Sequence, residues 1–260
     1  EKARILSAPP KGILAADESN ASADKRLSLC GIKTTVETRR KFRELFLDAP
    51  KLEHYISGVI LYKETLEQAD DNAVPFPELL HKRGVMVGIK VDEGTEPFPD
   101  SPDELLTQGL IGLPERLAEY VGKHQTDFTK WRAVIRIDGD RLPTSFALLE
   151  NAKRLASYAR MAQEAGMVPM IEPEVLYDGT HSLLKSREVL EKTLSVTVAM
   201  LQEHAVDMTG IIIKTSMALS GKDALRIDTP EEVARETLSA LLASVPKEVP
   251  AIVFLSGGQG

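Results

Sequence analysis

The stretch Thr209-Gly-Ile-Ile-Ile-Lys-Thr-Ser-Met-Ala218 places a single lysine, Lys214, at the end of three consecutive isoleucines. A β-branched run of this kind is typical of a strand that is buried on both faces, as in a parallel sheet. Two interpretations of Lys214 are open. It is either a desolvated amine that is nucleophilic near neutral pH and forms an imine with a carbonyl substrate, or a strand-end lysine whose ammonium group reaches water.

Six further apolar runs have the length and composition of strands, and segments with helical spacing lie between them. In chain order the seven predicted strands cover residues 12–16, 56–61, 84–91, 131–137, 167–171, 210–213 and 251–255. The clearest helix covers residues 148–162 and is followed by Gly166, a helix C-terminal signal. Thr229-Pro-Glu-Glu232 has the residues of a capping box, and Thr34 with Glu37 predicts a similar helix start.

The alternation of strands and helices predicts right-handed βαβ units and a parallel sheet. A doubly wound nucleotide-binding sheet would carry G-x-G-x-x-G after its first strand, whereas this strand runs into Ala16-Asp-Glu-Ser19. We therefore predict an α/β fold of the (β/α)8 TIM-barrel class, formed by one domain over residues 1–260 and ending after the seventh strand. Residues 92–112 contain scattered glycine and proline, and we predict an irregular βα loop beside the active face.

The composition limits the compartment and the partners. A formal net charge of -7 disfavours nucleic acid and anionic membranes, although a local cluster of lysines and arginines can still bind a small anionic substrate. Cys30 is the only cysteine, which excludes an intramolecular disulfide and fits a reducing compartment. The sequence has neither a signal-peptide pattern nor an apolar run of about 20 residues, so we expect a cytoplasmic protein.

Polar residues end or follow nearly every predicted strand, and in a barrel these strand ends form the active face. They are Asp17, Lys63, Lys90, Asp92, Arg132, Arg136, Glu172, Glu174, Lys214 and Ser256. Charges that share one cavity are costly unless they pair with one another or with an anionic substrate, so this set predicts a functional site. Residues two apart on a strand point to the same face, which allows both members of three pairs to face inward: Lys90 and Asp92, Lys130 and Arg132, Glu172 and Glu174.

Two of these pairs have a second interpretation. The proline in Glu172-Pro-Glu174 indicates that the strand is ending, so both carboxylates could lie on a solvated loop edge. Lys130-Trp-Arg132 could lie at the entrance of its strand, in which case Arg136 and Asp138 would face the active end by position. At the end of the sequence, Ser256-Gly-Gly-Gln-Gly260 leaves backbone N–H groups free for an anion, where barrels frequently bind phosphate.

Metal and hydrolase chemistry are disfavoured. No H-x-H or H-E-x-x-H spacing and no G-x-S-x-G elbow occurs, and the five histidines are scattered: His54, His81, His124, His181 and His204. We therefore predict neither a metal nor a cofactor. A lysine, several carboxylates and a phosphate site remain.

Six motifs, in register along the predicted strands, resemble those of class I fructose-1,6-bisphosphate aldolase over essentially the whole chain. They are Gly12-Ile-Leu-Ala-Ala-Asp-Glu-Ser19, Gly88-Ile-Lys-Val-Asp92, Lys130-Trp-Arg132, Glu172-Pro-Glu174, Ile213-Lys214 and Leu255-Ser-Gly-Gly-Gln259. The resemblance implies a (β/α)8 barrel that reversibly cleaves fructose 1,6-bisphosphate to dihydroxyacetone phosphate and glyceraldehyde 3-phosphate, in glycolysis and gluconeogenesis, through a lysine Schiff base. It also implies sugar phosphates as partners and a cytoplasmic homo-oligomer.

The same resemblance implies roles for individual residues. Lys214 would be the Schiff-base nucleophile, and Glu172, supported by Glu174, would be the acid and base for carbinolamine formation and dehydration. Asp17 would act at the C4 hydroxyl during carbon–carbon cleavage, with Lys130 holding charge near the imine. The second phosphate would be bound by Ser19, Ser22, Arg26, Lys90 and Arg132, and the first by Ser256, Gly257 and Gly258.

The sequence also departs from the family pattern. Thr209 and Thr215 stand where the family usually has glutamate and proline near the nucleophile, and Asn20-Ala21 stands where it has threonine-glycine. The family continues through an eighth strand with a phosphate-binding arginine, whereas this sequence stops at Gly260, so we expect a longer enzyme. Two other functions stay open: another imine-forming sugar-phosphate aldolase or a transaldolase, and a non-catalytic sugar-phosphate-binding or scaffold protein.

Overall fold

The computed structural model describes residues 1–255, which form nine strands and ten α-helices. The strands are β1 (Gly12–Ala16), β2 (Ile56–Leu61), β3 (Met86–Lys90), β4 (Thr95–Phe98), β5 (Ser101–Thr107), β6 (Phe128–Ile135), β7 (Val168–Val175), β8 (Ile212–Thr215) and β9 (Ile252–Phe254). The helices are α1 (Lys2–Leu6), α2 (Asn20–Leu29), α3 (Val36–Leu47), α4 (Leu52–Tyr55), α5 (Lys63–Leu66), α6 (Phe76–Lys82), α7 (Leu113–His124), α8 (Ser145–Glu164), α9 (Leu183–Glu203) and α10 (Pro230–Ser244). Within this described part, no helix is both long and apolar enough to span a membrane.

Seven of the strands form one parallel sheet, in the order β1, β2, β3, β6, β7, β8 and β9. Each strand thus pairs with the sheet strand next to it in the sequence, which is the arrangement of a (β/α)8 barrel. The sheet is strongly curled, because β1 and β6 would lie about 14 Å apart in a flat sheet, yet Asp17 after β1 contacts Lys130 on β6. The predicted fold class is confirmed. Over residues 1–255 the barrel is incomplete, with β1 and β9 at its edges.

The inner face of the sheet has a small apolar core, which includes the N-terminal ends of β6, β7 and β8. Ile60, Phe128, Met170 and Ile212 come from four different strands and pack with Leu6 of α1. Interiors of small barrels are filled by side chains in layers, and this core is the lowest layer. The inward positions above it are therefore the ones that can form a site.

Two glycines make room for the inner core. A Cβ atom at Gly58 would lie 2.4 Å from Cδ1 of Leu6, and one at Gly88 would lie 2.3 Å from the ring of Phe128. Large side chains therefore fill the space that the glycines leave, as close packing requires. Lys90, two residues after Gly88, lies on the same inner face, one layer nearer the C-terminal ends of the strands.

All seven predicted strands are confirmed, but several have different bounds, and the differences are largest in β6 and β7. β6 begins at Phe128, three positions before the predicted start, and β7 continues to Val175 instead of ending at residue 171. β7 tolerates Pro173 because the missing N–H faces β8, where the ladder extends only to the pair Ile171 and Ile213. Val175 directs its N–H to the same side, and donates it to Oγ of Ser216 at 3.2 Å.

Two other predictions are wrong in detail. Residues 92–112 contain the antiparallel hairpin of β4 and β5 where an irregular loop was expected. This hairpin packs against α8, since Nδ2 of Asn151 donates to the carbonyl oxygen of Leu105 at 2.9 Å. Helix α3 is capped by Thr35, whose hydroxyl oxygen accepts from the N–H of Thr38, and not by Thr34. The predicted capping box at Thr229 is confirmed.

Candidate active site

Lys214 lies on β8 and points into the barrel. Ile212 belongs to the inner core, and because side chains alternate along a strand, Lys214 takes the next inward position. Its side chain is 13% exposed, and its ammonium nitrogen lies 3.0 Å from Oε1 of Glu172, whose side chain is 4% exposed. The ammonium group is therefore held inside the barrel beside a carboxylate, and does not extend into bulk water.

Lys130 joins Glu172 to a second carboxylate. Its ammonium nitrogen, on β6, lies 2.6 Å from Oδ2 of Asp17 and 3.2 Å from Oε2 of Glu172. Burial opposes the charged form of Lys130, but the carboxylates of Glu172 and Asp17 outweigh it and hold the pKa of Lys130 above its ordinary value. Lys214, Glu172, Lys130 and Asp17 thus form one row of charges that alternate in sign.

A second alternating row lies beside the first. Arg132 on β6 pairs with Glu174 on β7. The backbone N–H of Arg132 donates to Oδ2 of Asp92 at 3.3 Å, and the Asp92 carboxylate pairs with Lys90 at the end of β3. Burial opposes the charge of Arg132, and Glu174 outweighs it, so the pKa of Arg132 is raised. Both rows form because alternate side chains of β6 and β7 face the inside of the barrel.

The corner between β1 and α2 is held by an arginine from α3. Arg43 is buried, and its guanidinium lies 2.7 Å from Oε2 of Glu18 and donates to the Glu18 carbonyl oxygen at 2.8 Å. Burial lowers the pKa of Arg43, an effect that the Glu18 carboxylate opposes. Ser19 then caps α2 by accepting from the N–H of Ser22 at 3.3 Å. Asp17 and Ser19, on either side of Glu18, are thereby fixed relative to the barrel.

Two cavities open beside these rows of charges. One, of about 730 Å³, is lined by residues that include Arg26, Glu172, Glu174 and Lys214. The other, of about 650 Å³, is lined by residues that include Asp17, Ser19, Ser22, Lys90, Lys130 and Arg132. The amine therefore faces one cavity and the Asp17 carboxylate faces the other, with the ion pair of Lys130 and Glu172 at the boundary. Such an arrangement can form an imine at one carbon and move a proton at a nearby one.

Comparison with known proteins identifies the family. The family model for class I fructose-bisphosphate aldolase matches residues 1–260. The chain belongs to this family. A Xanthomonas campestris protein described as "Probable fructose-bisphosphate aldolase class 1" is 47% identical over 259 residues, which are 100% of this chain and 77% of that protein. Fructose-bisphosphate aldolase C of Homo sapiens is 46% identical over 255 residues, 98% of this chain and 70% of that protein.

The fold agrees with a solved aldolase structure. Fructose-bisphosphate aldolase from Plasmodium falciparum, solved in complex with TRAP and a small-molecule inhibitor, superposes with a TM-score of 0.97 at 40% sequence identity. The match covers 99% of this chain and 74% of that one. The curled sheet described above is therefore the sheet of a class I aldolase.

The structure brings together most of the residues that the aldolase resemblance assigns to the site. Arg26 differs from the expectation, because it lines the cavity of Lys214 and not the one that contains Ser19 and Ser22. Ser256, Gly257 and Gly258 lie outside the described residues. Arg136, the positional alternative to Lys130, directly follows the end of β6 and lies at the surface, 3.4 Å from Asp103.

Two residues of this aldolase site are not singled out by the sequence motifs. Glu18 stands between Asp17 and Ser19 in the first motif, so adjacency could have drawn attention to it. Arg43 lies on a helix rich in charged residues, and no sequence signal distinguishes it from Arg40 on the same helix. Its burial arises only when α3 packs behind the β1–α2 corner.

Proposed function

We propose that this chain is a class I fructose-bisphosphate aldolase that cleaves fructose 1,6-bisphosphate reversibly to dihydroxyacetone phosphate and glyceraldehyde 3-phosphate through a lysine Schiff base. The observation that carries the proposal is the 3.0 Å contact between the Lys214 ammonium nitrogen and Oε1 of Glu172 inside the barrel. Imine formation needs an amine and an acid that protonates the departing hydroxyl group, and this contact supplies both at one point. Membership of the family supports the same reaction.

Imine formation begins when Lys214, having passed a proton to Glu172, attacks the C2 carbonyl of the substrate as a neutral amine. Glu172 then protonates the carbinolamine hydroxyl, and water leaves. Lys130, whose ammonium nitrogen lies 3.2 Å from the second oxygen of Glu172, holds this side chain in position between these transfers. Glu174 supports the site from the next inward position of the same strand, where it pairs with Arg132.

Cleavage uses the protonated imine as an electron sink. Asp17 accepts the proton of the C4 hydroxyl, the C3–C4 bond breaks, and its electron pair enters an enamine between C2 and C3. The aldehyde leaves with C4 as its carbonyl carbon. Protonation of the enamine at C3 and hydrolysis of the imine then release dihydroxyacetone phosphate. The ammonium group of Lys130, 2.6 Å from Oδ2 of Asp17, holds this carboxylate in position to accept the proton.

The two cavities offer separate positions for the two phosphates. We assign the phosphate on C6 to the cavity of Asp17, where Ser19, Ser22, Lys90 and Arg132 supply hydroxyl and cationic groups. Arg26 lines the cavity of Lys214, which favours a role at the phosphate on C1, next to the imine carbon. Ser256, Gly257 and Gly258 are assigned to the same C1 phosphate by the family pattern alone.

Borohydride trapping tests the proposed function. Dihydroxyacetone phosphate and borohydride should add one three-carbon unit covalently to the peptide that contains Lys214, as measured by mass spectrometry. The Lys214→Met variant should show no adduct, while Lys247→Met, which removes an exposed lysine, should react like the unmodified protein. An adduct on another lysine, or none at all, would contradict the assignment. Activity should be retained in EDTA, because the iminium ion replaces a metal as the electron sink.

We further propose that residues 1–260 belong to one barrel domain of a cytoplasmic homo-oligomer that works in glycolysis and gluconeogenesis. The continuous parallel sheet supports the single domain. The family resemblance supports the remaining points. Light scattering coupled to size-exclusion chromatography would measure the mass in solution, and a monomeric mass would contradict the oligomer.

A further inference from the structure

One lysine in the cavity of Asp17 pairs with no carboxylate in the described part of the chain. The lining of this cavity includes five cationic side chains and four acidic ones. Four of the cations have acidic partners: Lys90 with Asp92, Lys130 with Asp17, Arg132 with Glu174, and Arg116 with Glu93. The fourth acidic side chain of the lining, Glu18, pairs with Arg26 and Arg43 outside it. The fifth cation, Lys63, has no ion-pair partner among residues 1–255.

Lys63 also lies at the C-terminal ends of the strands, where the candidate active site is. It begins α5, two positions after the last residue of β2. Because the sheet is parallel, this strand end lies at the same face as the ends of β1 and β3, which carry Asp17 and Lys90. Lys63 is exposed and lines the same cavity as Ser19, the cavity assigned to the C6 phosphate.

An unpaired cation responds to a phosphate differently from a paired one. A phosphate ester carries a charge of about -1.5 to -2 near neutral pH. When it approaches Lys90 or Arg132, the attraction is offset by the carboxylate that already binds each of them. Lys63 has no such partner, so its whole charge is available to the incoming group. This advantage exists only for a substrate that carries a phosphate at this end.

We propose that Lys63 is a specificity-determining residue that binds the C6 phosphate and gives the enzyme its preference for fructose 1,6-bisphosphate over fructose 1-phosphate. The inference rests on the proposed aldolase function and names the substrate that the site selects. It makes no demand on imine formation, because dihydroxyacetone phosphate lacks the group that Lys63 would bind.

The test compares both sugars in the full chain and in three variants. In Lys63→Met, kcat/KM for fructose 1,6-bisphosphate should fall about tenfold, as expected for the loss of one charge-assisted contact. The value for fructose 1-phosphate should stay unchanged, so the ratio of the two also falls about tenfold. Lys63→Arg should keep most of the ratio. Lys247→Met, which removes another exposed lysine with no ion-pair partner among residues 1–255, should keep all of it.

Equal losses for the two sugars would overturn the proposal, because Lys63 would then support the site in general. An unchanged ratio in Lys63→Met would overturn it as well. Isothermal titration calorimetry with each sugar in the Lys214→Met background, which cannot form the imine, gives the same comparison without turnover, and equal affinities there would contradict a C6-phosphate contact. Borohydride trapping with dihydroxyacetone phosphate separates the two claims: an intact adduct at Lys214 with an unchanged ratio rejects only the role of Lys63.

Discussion

Glu172 places its Oε1 atom 3.0 Å from the ammonium nitrogen of Lys214. We expect Glu172→Gln to lower kcat by about 10²–10⁴, because an amide cannot accept the proton of the amine or return it to the carbinolamine. Glu188→Gln, which neutralises an exposed carboxylate on α9, serves as the control and should leave kcat unchanged. Single-turnover trapping with borohydride would show whether imine formation is the step that slows. A full rate of imine formation in Glu172→Gln would assign the proton transfers to another group.

Lys130 should contribute strongly to the stability of the fold. Lys130→Met should destabilise the fold by about 3–5 kcal/mol, because it leaves the buried carboxylates of Asp17 and Glu172 without their shared cation. Urea unfolding would measure the change. The double variant Lys130→Met with Asp17→Asn should recover about 1 kcal/mol or more of this loss, since one of the two uncompensated charges is then gone. Additive effects of the two substitutions would mean that the contact carries no coupling energy.

Asp127 should govern part of the acid sensitivity of the fold. Its carboxylate accepts from the backbone N–H of Val87 at 3.1 Å and lies 3.1 Å from Nε2 of His81. Burial works against its charge, but these bonds outweigh burial and hold the pKa of Asp127 below its ordinary value of 3.8.

A carboxyl whose pKa is lower in the folded state stabilises the fold fully above its unfolded pKa, and the contribution disappears as the pH falls through the folded pKa. We therefore expect Asp127→Asn to be less stable than the unmodified protein at pH 7, and the difference to shrink below pH 3.8. Thermal unfolding between pH 7 and pH 2.5 would measure it. A difference that is constant with pH would exclude the ionisation of Asp127 as its cause.

Gly88 should tolerate no side chain. In Gly88→Ala the new Cβ would lie 2.3 Å from the ring of Phe128, so we expect a loss of about 3 kcal/mol from overpacking of the inner core. Gly122→Ala is the matched control: this glycine lies within α7 with nothing within 4 Å of the added atom. It should stabilise the protein by about 0.5–1 kcal/mol. Calorimetric melting temperatures that move the same way in both variants would refute the packing argument.

Much of the fold could be read from residue patterns. Three isoleucines before Lys214 predicted a buried parallel strand, and the two-residue spacing of Glu172 and Glu174 allowed both to face inward, with a solvated loop edge as the alternative. These signals are local and depend only on the chemistry of neighbouring residues. The same spacing placed Lys130 and Arg132 on one face, although the strand bounds could not tell which end of the barrel they occupy.

The remaining features arise from tertiary packing, and no local pattern encodes them. β6 starts at Phe128 because the Phe128 ring fills the space beside Gly88 on β3. Two other strands separate β3 from β6 in the sequence, but the two are adjacent in the sheet. The separation of Lys214 and Asp17 into two cavities results from the contact of Lys130 with Glu172, which only the curled sheet makes possible. The burial of Arg43 likewise requires α3 to pack against a corner formed by other elements.

Pro173 has a mechanical consequence for the two strands that carry the reactive groups. The backbone pairing of β7 with β8 ends at Ile171 and Ile213, so it does not extend to the level of Lys214. Above that point the described links are made by side chains: the ion pair of Lys214 with Glu172, and the Ser216 hydroxyl that accepts from Val175. In the proposed reaction Lys214 becomes an imine and the ion pair is lost, which leaves the hydrogen bond from Val175 to Ser216 as the described link between the two strands at this level. The distance between Lys214 and Glu172 can then change during the proposed reaction without breaking a backbone hydrogen bond between β7 and β8.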